Sequence, residues 1–391
     1  MQRWSQRLHA VNKATGRRWS PIPKPPPQDF DRLCGTHSVL NTLRAFYVAP
    51  RRLHPHRRQL CSLYVRDFRL EASCNTKKNG DDDAEKSNDG HDVWIPKQYP
   101  NMQRIVRLAR ALSVAVHPVE RRELVRLCGE RRNQNVVLEV STFTPRDVVA
   151  SPWESGRRVW DADGRGMTEG GAQTDDVVFL DHVIDPANVG AIMRSAFFMG
   201  LRRIVLSSDS AGCTAAVCRS SAGFMEYMSV YRAVVPTLTF LENTVAQQKA
   251  RDDGHLLEIY ATSPMPRRGV TTCSARELPS VSCGPVNKPR RRLLLLGNEG
   301  AGLPSEVMGL CTHTAHIPLA PERSHFMSTA VDGGLVAGGN GRNTCRTRGE
   351  EAEDIAHLRP EEVSLNVSAA SALILAALRR GDGAVEVYRN H

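Results

Sequence analysis

The chain has 391 residues, 41% of them hydrophobic, and its 52 Lys plus Arg against 42 Asp plus Glu give a net charge of +10. That length suits two domains with long insertions, and the apolar share supports true cores, which excludes a disordered or fibrous chain. No apolar run approaches the length of a membrane span, and the positive excess favours a polyanionic partner such as RNA.

Residues 1–33 form a basic arm. Arg3, Arg7, Lys13, Arg17, Arg18 and Lys24 all precede the first acidic residue, Asp29, and Trp4, Leu8 and Val11 share one helical face. This is the composition of a mitochondrial transit peptide, followed by a stiff spacer from Pro21 to Pro27.

A first domain is expected over residues 34–142. Val39, Leu40, Leu43 and Phe46 mark a helix, Leu60 to Val65 a strand, and residues 74–98 a polar insertion with nothing to bury. Met102, Ile105, Val106, Ala109 and Leu112 mark a second helix, and Ser113 to Val116 a strand. Leu124, Val125 and Cys128 place a third helix, and Val136 to Val140 a closing strand. Alternating helices and short strands make this a small α/β/α unit. Its arginines (Arg51, Arg52, Arg57, Arg58, Arg121, Arg122, Arg131 and Arg132) are expected on an exposed, RNA-contacting face.

Residues 143–175, rich in Gly, Asp and Arg, are expected to be a linker. The second domain, 176–391, opens with a strand over Val177 to Val183 and a turn over Ile184 to Gly190. A helix over Ala191 to Met199, ended by Gly200, and a strand over Arg203 to Ser207 complete a β-α-β unit. Insertions are expected at about 263–290 and 321–361, and a largely buried last helix from Asn366 to Arg380. The ten cysteines (34, 61, 74, 128, 213, 218, 273, 283, 311 and 345) show no CxxC and no metal-like pairing. They read as reduced intracellular thiols, with no metal site.

The most informative stretch is Leu293 to Leu296 followed by Gly297-Asn-Glu-Gly-Ala-Gly302. Four consecutive leucines suit a strand buried on both faces of a parallel sheet. The glycines after it let backbone approach a ligand, and Pro304 with Glu306 suits the first turn of a helix. The spacing is GxxGxG, so a dinucleotide fingerprint is not met, and the richest glycine loop comes late in the domain.

Three polar clusters sit where strands give way to helices: Asn188-Val-Gly-Ala-Ile-Met-Arg194-Ser-Ala, Gly297 to Leu303 with His316-Ile317-Pro318, and Ser364-Leu365-Asn366-Val-Ser368. Together and in this order they resemble the three motifs of the SpoU/TrmH branch of the SPOUT RNA 2′-O-ribose methyltransferases. The first domain is similar to the substrate-binding domain that precedes the catalytic one in many members. The stretch Ser210 to Glu226 further resembles the mitochondrial large-subunit rRNA methyltransferases.

The resemblance implies an α/β fold with a C-terminal trefoil knot, an exception to the usual absence of knots. It also implies S-adenosylmethionine as methyl donor, RNA as substrate, and a homodimer. Gly297, Ile317, Pro318 and Leu365 match positions that hold the cofactor. Arg194 matches the catalytic arginine. A guanidinium is protonated in essentially all proteins, so Arg194 is read as a binder of phosphate and developing oxyanion. Asn188, Glu299, Ser364 and Asn366 complete the catalytic set. Helix capping is a competing role for Asn188, Ser364 and Asn366, as is a plain turn carboxylate for Glu299. A guanosine in mitochondrial rRNA is the expected target, with a tRNA or a non-catalytic assembly role as alternatives. Two departures stand out: residues 319–363 replace a short loop, and Asn133-Gln134-Asn135 stands where the family often has His-Gln-Gly.

Overall fold

The computed structural model describes residues 30–48, 58–70, 93–129, 132–153, 175–251, 254–263, 272–274, 290–298, 300–317, 365–380 and 386–389. The basic arm before residue 30 and the 321–361 insertion lie outside these residues.

The first unit is a four-stranded sheet in the order β1-β4-β2-β3, built from β1 (Phe30–Cys34), β2 (Leu60–Arg66), β3 (Ala115–Val119) and β4 (Val136–Ser141). Helix α1 (Thr36–Val48) buries Val39, Leu40, Leu43 and Phe46, and α2 (Pro100–Ala111) buries Met102, Ile105, Val106 and Ala109. Both stripes follow the i, i+3, i+4 spacing that turns one helix face inward. In α3 (Arg121–Cys128), Leu124 and Cys128 are buried but Val125 is not, because a residue one step on lies about 100° off the buried stripe.

Two expectations are corrected in this region. Residues 93–98 do have something to bury. Val93 and Ile95 pack on the core, the Trp94 ring meets Phe68 edge-on at 6.3 Å, and Asp67 accepts from Arg69. Burial alone would raise the Asp67 carboxyl, but its bonds to Arg69 and the Trp94 amide hold it below its ordinary value. Residues 143–153 are structure rather than linker: Phe143 and Trp153 are buried, and β5 (Arg146–Val148) pairs in parallel with the second sheet. A three-residue edge strand leaves no readable alternation.

That second sheet has nine strands in the order β10-β13-β12-β9-β11-β6-β7-β8-β5. Its further members are β6 (Asp175–Leu180), β7 (Arg203–Leu206), β8 (Ser229–Ala233), β9 (Leu256–Thr262), β10 (Thr272–Ser274), β11 (Arg290–Leu296), β12 (His313–His316) and β13 (Glu386–Arg389). The helices between them are α4 (Pro186–Phe198), α5 (Ala215–Ser220), α6 (Thr237–Arg251), α7 (Ser305–Gly309) and α8 (Val367–Arg380). β11 lies between β6 and β9, parallel to both, and Leu293 to Leu296 are all buried. The chain winds from β6 through β7 to β8 on one side and returns to β11 on the other. The switch point of this winding, between β6 and β11, is where open α/β sheets bind ligands.

Arg292 ties this centre together. Its Nε and Nη2 donate to the two Asp176 oxygens on β6, both at 2.9 Å, and its Nη1 donates to Leu378 O on α8. Burial disfavours the charged guanidinium, but Asp176 outweighs it and raises the Arg292 pKa.

The two sheets share a core. Arg58, expected on an exposed RNA-facing surface, has a fully buried side chain. It donates to Glu226 Oε1 at 2.6 Å, to Asp31, and to Ser141 O, with its guanidinium over the Phe143 ring. Burying a charge is costly unless it is paired and hydrogen-bonded, which is why this arginine faces inward while Arg121 and Arg122 are exposed. Asn41 on α1 donates to Ala222 O at 2.9 Å. A Cβ on Gly223 (φ +83°) would come within 2.6 Å of Ser38 O, so the glycine is what lets α1 seat against the 221–227 turn.

Candidate active site

The C-terminal ends of β6, β7 and β11 converge on one hydrogen-bonded rim. Asp181 N donates to Leu296 O at 2.8 Å, and Asn298 Nδ2 donates to His182 O at 2.9 Å, so the turns after β6 and β11 are locked together. Asn298 Oδ1 accepts from the Gly300 and Ala301 amides, curling the glycine turn back on itself. Gly297 is buried, and a Cβ there would lie 2.6 Å from Gly302 C. The turn therefore closes only with glycine at 297.

His182 stands at the mouth of this rim with φ +54°. Its Nδ1 lies 3.3 Å from Asp181 Oδ1 and its Nε2 3.2 Å from Asp209 Oδ2. Asp181 is itself buried and accepts from the Thr237 hydroxyl. Behind it, the Ser207 and Ser210 hydroxyls lie 2.9 Å apart and receive the amides of His182 and Val183. None of these residues stood out in the sequence. Only the sharp change from apolar Val177–Leu180 to Asp181-His182 could have marked the strand end.

The helix after β6 starts earlier than its pattern suggests. Asp185 is the N-cap, its Oδ1 accepting from Ala187 N at 2.8 Å, and Pro186 occupies the first helical position. Asn188 is thus not the cap. It is buried inside the first turn, and Gly190 lies within the helix rather than before it. A Cβ on Gly190 would come 1.8 Å from Ser220 Oγ and 2.6 Å from Val217 O, so this glycine sets how closely α4 meets α5. The Asp-Pro pair was the signal available in the sequence.

Arg194 is exposed on α4, and its side chain makes no hydrogen bond or ion pair among the described residues. Asn366 precedes α8 and does cap it: its Oδ1 accepts from Ser368 N at 2.9 Å and from the Ser368 hydroxyl. Ile317 is half-buried at the end of β12, and Leu365 is exposed before α8. α4 and α8 pack against each other, so the first and third clusters are neighbours through their helices. Glu299, Pro318 and Ser364 lie outside the described residues, as does the 318–364 path that would thread a knot. No metal-binding group of His, Cys, Asp or Glu occurs among the described residues. Two buried cysteines of the second unit, Cys213 and Cys218, are pushed up to about 12 by burial, which removes them as nucleophiles.

A search of protein families places this rim in context. Residues 176–326, from β6 through β12, match the SpoU rRNA Methylase family. Over this segment the chain is similar to that family. The SpoU segment extends into similarity with whole proteins. The human protein named rRNA methyltransferase 1, mitochondrial, is 32% identical over 212 residues, covering 53% of this chain and 52% of the human one. Its Schizosaccharomyces pombe namesake is 23% identical over 236 residues, 57% of this chain and 73% of that one. The chain thus spans about half the length of the human relative. Among solved structures, the SpoU methyltransferase AviRb from Streptomyces viridochromogenes, crystallised with AdoMet, superposes with a TM-score of 0.50 at 17% identity, over 90% of each chain. That likeness is one of fold alone, a mixed α/β architecture.

Proposed function

We propose that the protein transfers a methyl group from S-adenosylmethionine to a ribose 2′-OH of RNA, with mitochondrial large-subunit rRNA as the substrate. The observation that carries this reading is the Gly297–Gly302 turn, closed by Asn298 at the switch point of a SpoU-family sheet. The local surfaces fit the cofactor. The glycine turn and the end of β12 offer main-chain groups, and Ile317 and Leu365 offer apolar surface of the kind an adenine needs. When bound, the sulfonium supplies an activated methyl group.

In this reading Gly297, Ile317, Pro318 and Leu365 hold the donor. Arg194 binds phosphate and stabilises charge developing on the ribose oxygen, a role that suits a permanently charged fork of donors. Asn188, inside the first turn of α4, positions catalytic groups, Glu299 anchors a cationic group, and Ser364 and Asn366 contact the substrate, with Asn366 also capping α8. Holding acceptor and donor in line supplies much of the rate. The names of the human and yeast relatives support the mitochondrial rRNA assignment. The first unit supplies the RNA-binding surface, through Arg121, Arg122 and Arg132, which are exposed. A homodimer is supported by exposed apolar side chains on the packed helices α4 and α8, where Phe198 is 64% and Leu373 43% exposed.

The test is transfer of labelled methyl from S-adenosylmethionine to organellar rRNA and tRNA by wild type and Arg194→Ala. Label on one rRNA ribose with wild type, and a loss of about 100-fold or more with the variant, is expected. Folded protein that binds RNA yet transfers nothing to either pool would replace this reading with that of a non-catalytic assembly factor.

A further inference from the structure

A second concave surface lies beside the rim and is used by none of the residues above as a ligand contact. It is a cleft of about 510 Å³ between the two sheets. One wall is the edge strand β1, with Arg32 and Cys34; the other is the start of α4 at Ala187 and the face of α5 at Ala216 and Arg219.

Its walls are held in place. Arg58 joins the first unit to Glu226 just beyond α5, and the Ser220 hydroxyl donates to Pro186 O at 2.9 Å, locking α5 to α4. A cleft of fixed width does not have to be ordered when a ligand enters, which favours binding. Its charge balance is positive. Arg32 is neutralised by Glu139, 2.9 Å away. The Asp185 carboxylate is turned to the α4 amides as a cap. The Arg219 side chain is exposed and makes no hydrogen bond or ion pair among the described residues. The cleft is also near the strand-end rim along the chain: Asp185, in its lining, is three residues from His182, whose carbonyl Asn298 holds.

We propose that this cleft seats a single-stranded RNA segment flanking the nucleotide to be methylated, with Arg219 contacting a backbone phosphate. Its size accepts a ligand of nucleotide dimensions and not a duplex, and the small side chains at 34, 187 and 216 leave room for a sugar–phosphate chain. The inference rests on the methyl-transfer reading, and its test separates the two. Arg219→Ala, Arg219→Glu and Ala216→Phe, the last filling the cleft, are compared with wild type in three measurements. These are RNA retention on filters against salt, methyl transfer, and S-adenosylmethionine binding.

The expected result is RNA binding weakened about tenfold or more by Arg219→Glu and Ala216→Phe. Arg219→Ala is expected to reduce the salt slope by about one, and the KM for RNA to rise while cofactor binding is kept. A 4-thiouridine placed beside the target should crosslink to the peptide containing Ala216 and Arg219. RNA binding equal to wild type in both Arg219→Glu and Ala216→Phe, or crosslinks confined to other peptides, overturns the proposal. So does a change in sedimentation of these variants, which would make the cleft a contact between copies. If wild type binds RNA but transfers no methyl, the retention data still decide the cleft while the methyl-transfer reading fails.

Discussion

Replacing Arg58 with Met should uncouple the two halves of the molecule. The guanidinium is fully buried and serves three acceptors: Glu226 on the second unit, and Asp31 and Ser141 O on the first. Removing it strands the Glu226 carboxylate, whose side chain is also fully buried and whose Oε2 has no partner among the described residues. Breaking a buried pair from one side costs about 3–5 kcal/mol, because the remaining charge is left without compensation. Glu226→Gln should cost less, about 1–3 kcal/mol, since an amide oxygen can still accept from Arg58 and Asp31 stays in place. Arg58→Met combined with Glu226→Leu removes both charges and should recover much of the loss, because an apolar replacement of a buried pair is often neutral. Urea unfolding, followed by fluorescence and by circular dichroism, measures wild type, these variants and the Glu226→Leu single variant. The reasoning is refuted if Arg58→Met costs under about 1 kcal/mol, or if Glu226→Leu adds its full single-mutant cost to that of Arg58→Met.

Other consequences can be checked with less effort. Gly190→Ala puts a methyl onto Ser220 Oγ and the Val217 carbonyl; a destabilisation of about 1–3 kcal/mol is expected from overpacking, read as a lowered urea midpoint. Gly297→Ala drives Cβ into the Gly302 backbone and should abolish S-adenosylmethionine binding in calorimetry while the protein still unfolds cooperatively; retained binding would mean the turn is not part of the cofactor site. Thiol reagents at pH 8 should label Cys61, which is exposed, and leave Cys213 and Cys218 untouched until unfolding, as peptide mass spectrometry would show. The same two thiols predict alkaline sensitivity. Their pKa values rise from 9.0 to about 12 on folding, so above pH 9 the unfolded chain gives up protons that the folded one keeps. Stability should then fall progressively as pH climbs from about 9 towards 12, a loss that Cys213→Ala with Cys218→Ala would reduce.

Much of this protein is legible without its structure, because the governing rules are local. Helix stripes such as Met102, Ile105, Val106 and Ala109 depend on a 3.6-residue period, and the buried strand Leu293–Leu296 on an uninterrupted apolar run. The order of the three polar clusters is likewise a property of the chain alone, and it led to the SpoU family. What the sequence could not decide was which polar residues turn inward. Arg58 and Arg292 look like any other arginine in the sequence; only the strand pairing brings Asp176 beside Arg292, and only the docking of the first unit brings Glu226 to Arg58. The start of α4 was misjudged for a related reason, since the Asp185 cap competes with an apolar pattern that begins later. The rim itself, with His182 between Asp181 and Asp209 and bound to Asn298, joins residues more than a hundred positions apart. Hydrogen bonds and ion pairs are satisfied in space, while periodicity runs along the chain, so the tertiary structure alone settles the polar partners.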